Sequence, residues 1–114
     1  MLILGKKEYH QKYRKEYKNK MKLYLFEYLR EHPCVDCGES DVCVLEFDHV
    51  YGQKKVGLTR APNHCSFPQM INEITKCEVV CSNCHAKRTS KHQGWYRNIK
   101  TLIKTNFILY PFVQ

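Results

Sequence analysis

The sequence lacks a hydrophobic run long enough to cross a membrane. Only four apolar residues, Met1 to Leu4, precede Gly5 and the lysines that follow it, which is too short for the core of a signal peptide. No later stretch approaches the roughly 20 apolar residues that a membrane-spanning helix needs. We therefore expect an intracellular protein with no membrane partner.

Acidic residues are scarce in this chain of 114 residues. The chain has 11 Asp and Glu residues and 19 Lys and Arg residues, which gives a formal net charge of +8. Such an excess suggests a polyanionic partner, most often nucleic acid, with an acidic membrane surface as the alternative. The length fits one small domain with extensions, and a domain this small buries too little surface for comfortable stability. A bound metal is therefore a plausible part of its folding.

Glycine and proline are absent from residues 6–31, where strong helix formers dominate. This composition predicts one long helix from Lys6 to about Arg30. One side of it is apolar or aromatic and carries Tyr9, Tyr13, Tyr17, Met21, Tyr24, Leu25 and Tyr28. Either the tyrosines pack on the domain, or the helix is a basic arm along DNA phosphates that uses Lys12, Arg14 and Lys15. Packing is favoured for residues 23–29.

Cysteine is abundant, with seven residues, an odd number that together with a reducing compartment favours metal ligation over disulfides. Four of them form two Cys-x-x-Cys pairs, and such spacing lets one turn supply two ligands of a tetrahedral zinc ion. Free buried cysteines or a redox pair are the alternatives, but two matching pairs argue for one shared metal. Four thiolates would fill every coordination position of this zinc ion, so its role would be structural and not catalytic. The predicted ligands are Cys34, Cys37, Cys81 and Cys84, which leaves Cys43, Cys65 and Cys77 over.

The chain between and after the two pairs predicts a small α+β domain. Residues 43–50 alternate loosely as a strand, and residues 51–68 are rich in turn residues and predict an irregular loop. An amphipathic helix over 69–76, a brief strand at 79–80 and a helix from Ser82 or Asn83 to about His92 follow. Basic residues of the loop are candidate nucleic-acid contacts: Lys54, Lys55 and Arg60.

The predicted organisation is a basic helical arm over 1–32, a metal-binding domain over 33–92, and a C-terminal helix with an apolar tail over 93–114. Gly94 separates the last two parts by ending the preceding helix. The apolar end of the tail either packs on the domain or forms the surface of a homodimer.

Asp48, His49 and His85 supply the groups that phosphodiester hydrolysis needs. A neutral imidazole can accept the proton of an attacking water near pH 7. A carboxylate and a second imidazole can hold one divalent cation while leaving positions open for phosphate and water. Adjacent residues of a regular strand point to opposite sides, so Asp48 and His49 would need a bulge or a strand end to face one site. Taken singly, each is also common as a spare ligand or a surface residue.

In this order the motifs resemble the HNH endonucleases, which have the ββα-metal fold. The similar segments are Cys34-x-x-Cys37, Phe47-Asp48-His49-Val50 and the run from Lys76 to Thr89, which contains Cys-Ser-Asn-Cys-His-Ala-Lys-Arg-Thr. They lie within about Pro33 to Thr89, roughly half of the chain. The resemblance is closest to compact zinc-binding members from phages, mobile introns and bacterial genomes. It implies the cytoplasm of a bacterial or phage-infected cell.

The resemblance also implies roles for individual residues. His49 would be the general base, Asp48 and His85 would hold a catalytic Mg²⁺ or Mn²⁺, and Lys87 and Arg88 would lie nearest the phosphates of double-stranded DNA. Many family members have an asparagine where this chain has Lys76. That asparagine braces the loop of the base histidine, and the candidate substitutes for it in this chain are Asn63 and Asn72.

The expected function is therefore a metal-dependent DNA endonuclease that leaves 5′-phosphate and 3′-hydroxyl ends. The alternative from a different class is a non-catalytic zinc module that binds DNA or RNA through its basic helix. A nuclease that acts on RNA, or a subunit that needs a partner, is a third interpretation.

Overall fold

A computed structural model describes residues 5–95 and contains four helices and one two-stranded sheet within them. In chain order these are α1 (Lys6–Glu31), β1 (Leu45–His49), α2 (Ala61–His64), α3 (Phe67–Ile74), β2 (Cys77–Cys81) and α4 (Ser82–Gln93). A short 3-10 helix over Val42–Val44 leads into β1. The expected C-terminal helix, apolar tail and dimer surface, beyond residue 95, lie outside the described residues.

Helix α1 confirms the long helix that the absence of glycine and proline predicts. It has 26 residues and is therefore about 39 Å long, at 1.5 Å per residue. Its first part is open to solvent, with Tyr9 and Tyr13 exposed by 58% and 59%. From Tyr17 onward it packs on the domain, because the Tyr17 hydroxyl accepts a hydrogen bond from the backbone N–H of Phe67 at 2.7 Å and Met21 is fully buried. The packing interpretation thus applies from Tyr17 onward, and the first half of the helix is open to solvent.

The sheet pairs β1 and β2 antiparallel in a regular register, from Leu45 opposite Cys81 to His49 opposite Cys77. The register has no bulge at Asp48, and His49 is the last residue of β1, so the regular alternation of side chains continues through both residues. Successive side chains of β1 alternate between faces. Asp48 therefore faces α4 and His49 faces α3, as their side-chain contacts show.

Two buried clusters hold these elements together. One surrounds the sheet and the cysteine pairs and consists of Cys34, Leu45, Val79, Val80, Cys81 and Cys84. The other lies between α1, α2 and α3 and consists of Met21, Leu58, Ala61, Met70 and Ile74. Two of these residues belong to the stretch 51–68, which sequence patterns predicted as irregular loop. Burial of Leu58 and Ala61 gives this stretch a fixed path and allows the short helix α2.

Helix α3 begins two residues earlier than predicted because a capping box sets its start. The Ser66 hydroxyl accepts from the N–H of Gln69, and the Gln69 side chain accepts from the N–H of Ser66. Helix α4 ends as predicted at Gly94, whose φ of 67° is the left-handed conformation that favours glycine. Among residues 5–95, no helix combines the length and the apolar character that crossing a membrane requires.

Candidate metal centre and active site

The four predicted cysteines come together in one cluster. The sulfur atoms of Cys34, Cys37, Cys81 and Cys84 all lie within 4.8 Å of one another, and those of Cys37 and Cys81 are 3.6 Å apart. Sulfurs bound tetrahedrally to zinc at about 2.3 Å are separated by roughly 3.8 Å. Within residues 5–95 this is the one group of three or more potential ligands close enough to share an ion. The cluster could therefore hold a metal such as zinc.

Local backbone structure positions both cysteine pairs. In the first, the N–H of Gly38 donates to the carbonyl of Cys34 at 2.8 Å, and Gly38 has a φ of 82° that other residues rarely adopt. In the second, Cys81 is the N-cap of α4, and its sulfur accepts from the N–H of Cys84 at 3.4 Å. The positive end of the α4 dipole thus faces the sulfurs, which favours thiolates.

The pKa values of two thiols in the cluster shift in opposite directions. Burial raises the pKa of Cys34, but hydrogen bonds from the backbone amides of Cys81, Cys37 and Asp36 outweigh it and lower this pKa to about 6. The hydrogen bond to Cys81, together with burial, raises the pKa of Cys84 to about 12. Without a cation, four thiolates cannot coexist at this distance. Metal binding would therefore displace protons from the cluster.

The remaining three cysteines lie outside the cluster. Cys77 donates to the carbonyl of Glu73 at 3.3 Å, and burial raises its pKa to about 11. Cys65 donates to the carbonyl of Ala61 at 3.3 Å, and burial raises its pKa as well. Cys43 is exposed in the 3-10 helix. The sequence therefore separated the four candidate ligands from the other cysteines correctly.

His85 lies between two carboxylates. Its Nδ1 is 2.7 Å from Oε1 of Glu46, and its Nε2 is 3.5 Å from Oδ1 of Asp48. When Nδ1–H donates to Glu46, the lone pair of Nε2 faces the Asp48 oxygen, so two acceptors meet. Neighbouring ligands of a divalent cation bound at about 2.1 Å lie roughly 3.0 Å apart. The donor pair therefore suits a cation after a small adjustment, with Glu46 fixing the tautomer of His85.

Arg88 connects this pair to the first cysteine pair. Its Nε and Nη2 bind the two oxygens of Asp36 at 2.6 and 2.7 Å, and its Nη1 lies 2.9 Å from Asp48 and 3.3 Å from Glu78. These carboxylates raise the pKa of Arg88 further, Asp36 most of all. Of the two residues expected to face phosphate, Lys87 is open to solvent and Arg88 is occupied by three carboxylates.

His49 contacts an acidic residue that sequence reasoning missed. Its Nε2 lies 3.0 Å from Oε2 of Glu73, which is only 2% exposed, and the other oxygen of Glu73 lies 2.6 Å from Nζ of Lys76. Burial raises the pKa of Glu73, but hydrogen bonds from Lys76 and His49 outweigh it and lower this pKa to about 2. The carboxylate is therefore ionised. The sequence did contain a signal for Glu73, because it is an acidic residue on the apolar side of a predicted amphipathic helix.

Lys76 braces the chain that follows His49. Its Nζ donates to the carbonyl of Gln53 at 2.9 Å, and its own carbonyl accepts from the N–H groups of Val50 and Tyr51 at 2.9 and 3.0 Å. The two candidate substitutes for the family's asparagine, Asn63 and Asn72, are exposed on α2 and α3. Lys76 itself thus supplies hydrogen bonds to the loop from the position where the resemblance implies an asparagine.

The predicted site residues line two adjoining clefts. Asp48, His49 and Arg88 line a cleft of about 630 Å³, and His49, His85 and Lys54 line another of about 370 Å³. His49 is common to both. The other predicted nucleic-acid contacts are exposed on the surface of the domain or of α1, namely Lys12, Arg14, Lys15, Lys55, Arg60 and Lys87.

Comparisons of the chain with protein-family models, curated proteins and solved structures found no match.

Proposed function

We propose that the protein is a metal-dependent DNA endonuclease of the HNH type, in which β1, β2 and α4 form a ββα-metal unit. The observation that carries the proposal is the convergence of two arrangements at the end of β1. There, the imidazole of His49 contacts the buried carboxylate of Glu73. His49 shares one cleft with Asp48 and the other with His85, and the Asp48–His85 pair is the one that suits a cation.

His49 is the general base in this proposal. Its neutral imidazole accepts a proton from water as the water oxygen attacks phosphorus, and the bond from phosphorus to the 3′ oxygen breaks. The leaving 3′ oxygen takes up a proton from solvent, and the products are a 5′-phosphate and a 3′-hydroxyl. Asp48 and His85 would hold Mg²⁺ or Mn²⁺, which would offset the negative charge that develops on the phosphate and the leaving oxygen.

The four-cysteine site has a structural role in the proposal. Zinc bound there would fix the start of α4, where Cys84 directly precedes His85. Asp36, between the first two cysteines, bonds to Arg88, which in turn bonds to Asp48. Both proposed cation ligands are thus connected to the zinc site by neighbouring residues.

Double-stranded DNA is the proposed substrate. The exposed part of α1, residues 6–16, carries Lys12, Arg14 and Lys15, and the loop after β1 carries Lys54, Lys55 and Arg60. These cations suit a contact with the phosphate backbone, which needs positive charge and no base recognition. Lys87 extends this set onto α4. Arg88 instead orients Asp48.

The competing proposal is a non-catalytic zinc module that binds nucleic acid, and the length of exposed, basic α1 is the observation that favours it. Both proposals predict salt-dependent DNA binding. Only the nuclease requires His49, Asp48 and His85 to act on DNA. A cleavage assay therefore separates the two proposals where a binding assay does not.

The test is cleavage of supercoiled plasmid by zinc-loaded protein in Mg²⁺ or Mn²⁺. Wild type and the control His64→Ala, which removes an exposed histidine of α2, should both cut. His49→Ala should cut at least about 100-fold more slowly, since general-base catalysis contributes at least that factor.

Equal cutting by wild type and His49→Ala would reject the assignment. No cutting under any divalent cation, with binding unaffected by changes at Asp48, His49 and His85, would favour the zinc module. Cutting of RNA but not of DNA would change the substrate class.

A further inference from the structure

Glu73 is the one buried acidic side chain among residues 5–95, and its polar contacts are well defined. Oε2 lies 3.0 Å from Nε2 of His49 and 3.4 Å from the N–H of Lys55, while Oε1 lies 2.6 Å from Nζ of Lys76. Burying a carboxylate is costly unless charges and hydrogen bonds compensate it. Lys76 alone supplies the compensating charge, so the approach of His49 is not needed to neutralise Glu73.

The contact with Glu73 selects one tautomer of His49. An ionised carboxylate only accepts hydrogen bonds, so Nε2 carries the hydrogen and Nδ1 keeps the lone pair. His85 is held in the opposite way, because its Nδ1–H donates to Glu46 and leaves Nε2 free. Two glutamates thus fix the two imidazoles through opposite nitrogens, one for accepting a proton and one for binding a cation.

We propose that Glu73 is a positioning residue that holds the ring of His49 with Nδ1 as the proton-accepting atom, and that Lys76 keeps Glu73 in place for this task. The proposal rests on the proposed nuclease function. When Nδ1 accepts a proton from water, the resulting imidazolium remains hydrogen-bonded through Nε2–H to the Glu73 carboxylate. No proton passes to Glu73. Lys76 also donates to the carbonyl of Gln53, so it connects Glu73 to the loop that follows β1.

The interaction predicts a spectroscopic signature that needs no DNA. In the two-bond proton–nitrogen spectrum of zinc-loaded protein at pH 8, His49 should be the Nε2–H tautomer. In Glu73→Gln the amide can accept a hydrogen bond from Nε2–H or donate one to an unprotonated Nε2, so the Nδ1–H tautomer should gain population. The proposal is overturned if wild-type His49 is the Nδ1–H tautomer, or if Glu73→Gln leaves its spectrum unchanged.

Kinetics supply the second measurement. Glu73→Gln should lower kcat for DNA cleavage about 10- to 100-fold with little change in KM, as is typical for partners of site residues. Glu27→Gln, which removes an exposed carboxylate of α1 paired with Arg30, is the matched control and should cut like wild type. If Glu73→Gln does not fold, Glu73→Asp keeps the charge but withdraws the carboxylate, and the same loss of kcat is expected.

The outcomes separate this proposal from the proposed function. Wild type that cuts, together with folded Glu73 variants that cut equally fast, would overturn the role of Glu73 and leave the nuclease intact. Wild type that never cuts would overturn the nuclease, and the tautomer of His49 would still decide whether Glu73 positions the ring.

Discussion

Arg88 binds one oxygen of Asp48 and leaves the other oxygen facing His85. Its Nη1 lies 2.9 Å from Oδ2, while Nε2 of His85 lies 3.5 Å from Oδ1. The carboxylate is therefore oriented by a cation of the protein itself and keeps one oxygen available. Because the same guanidinium binds Asp36 between the first two cysteines, the orientation of Asp48 depends on the folded four-cysteine cluster.

This relationship predicts that Arg88→Ala destabilises the protein and Lys87→Ala does not. Removal of Arg88 leaves three carboxylates without their donor, and hydrogen bonds to charged groups are worth about 1.5–3 kcal/mol. Lys87 is exposed next to it on α4, where substitutions change stability by less than about 0.5 kcal/mol. Urea denaturation of the two zinc-loaded variants measures their free energies of unfolding relative to wild type. Equal stability of the two variants would contradict this role of Arg88.

Loss of one cysteine ligand should remove both the metal and the fold. Cys81→Ser should lower the zinc content below one ion per chain and abolish cooperative unfolding, since metal binding to such a site supplies folding free energy. Cys43→Ser changes an exposed cysteine outside the cluster and should retain zinc and wild-type stability. Elemental analysis with thermal unfolding makes the comparison. A full zinc content in Cys81→Ser would refute the assigned ligand set.

Acid should weaken the contribution of Glu73 to stability. Its pKa falls from 4.5 in the unfolded chain to about 2 in the folded protein, despite burial, through hydrogen bonds from Lys76 and His49. A lowered pKa stabilises the fold above the unfolded value, and this contribution disappears as the pH falls from about 5 toward 2. The difference in free energy of unfolding between wild type and Glu73→Gln should therefore shrink over that range. A constant difference from pH 6 to pH 3 would show that Glu73 does not titrate as described.

The exposed part of α1 should contribute charge to DNA binding without contributing to the core. Replacing Lys12, Arg14 and Lys15 by Gln should weaken binding and reduce the slope of log affinity against log salt by up to about 2.7, or 0.9 per lost contact. The variant Lys12→Arg, Arg14→Lys, Lys15→Arg keeps the charge and should bind like wild type. Thermal stability should stay unchanged in both, because these residues precede Tyr17, where packing begins. An unchanged salt slope would exclude the arm from the interface.

Sequence patterns predicted the parts of this structure that depend on local chemistry. The absence of glycine and proline predicted α1, the cysteine spacing predicted the four-cysteine cluster, and Gly94 predicted the end of α4. The contacts of Glu73 could not be predicted in this way, because they join α3 to the end of β1 and depend on tertiary packing.

Arg88 shows the same limit of local patterns. A basic residue on a helix after a cysteine pair suggests a phosphate contact, but the fold brings Asp36, Asp48 and Glu78 around it from three different segments. The sequence shows that Arg88 is positively charged, but it does not show which carboxylates the side chain binds.

The most direct test of the nuclease account is the dependence of DNA cleavage on a second metal in protein whose zinc is already bound. Zinc-loaded wild type should not cut plasmid in the absence of other divalent cations and should cut as Mg²⁺ or Mn²⁺ is added. His85→Ala should keep one zinc per chain and the wild-type fold, yet lose cleavage at every metal concentration. Cleavage by His85→Ala at the wild-type rate, or cleavage by wild type that no added cation changes, would contradict the account.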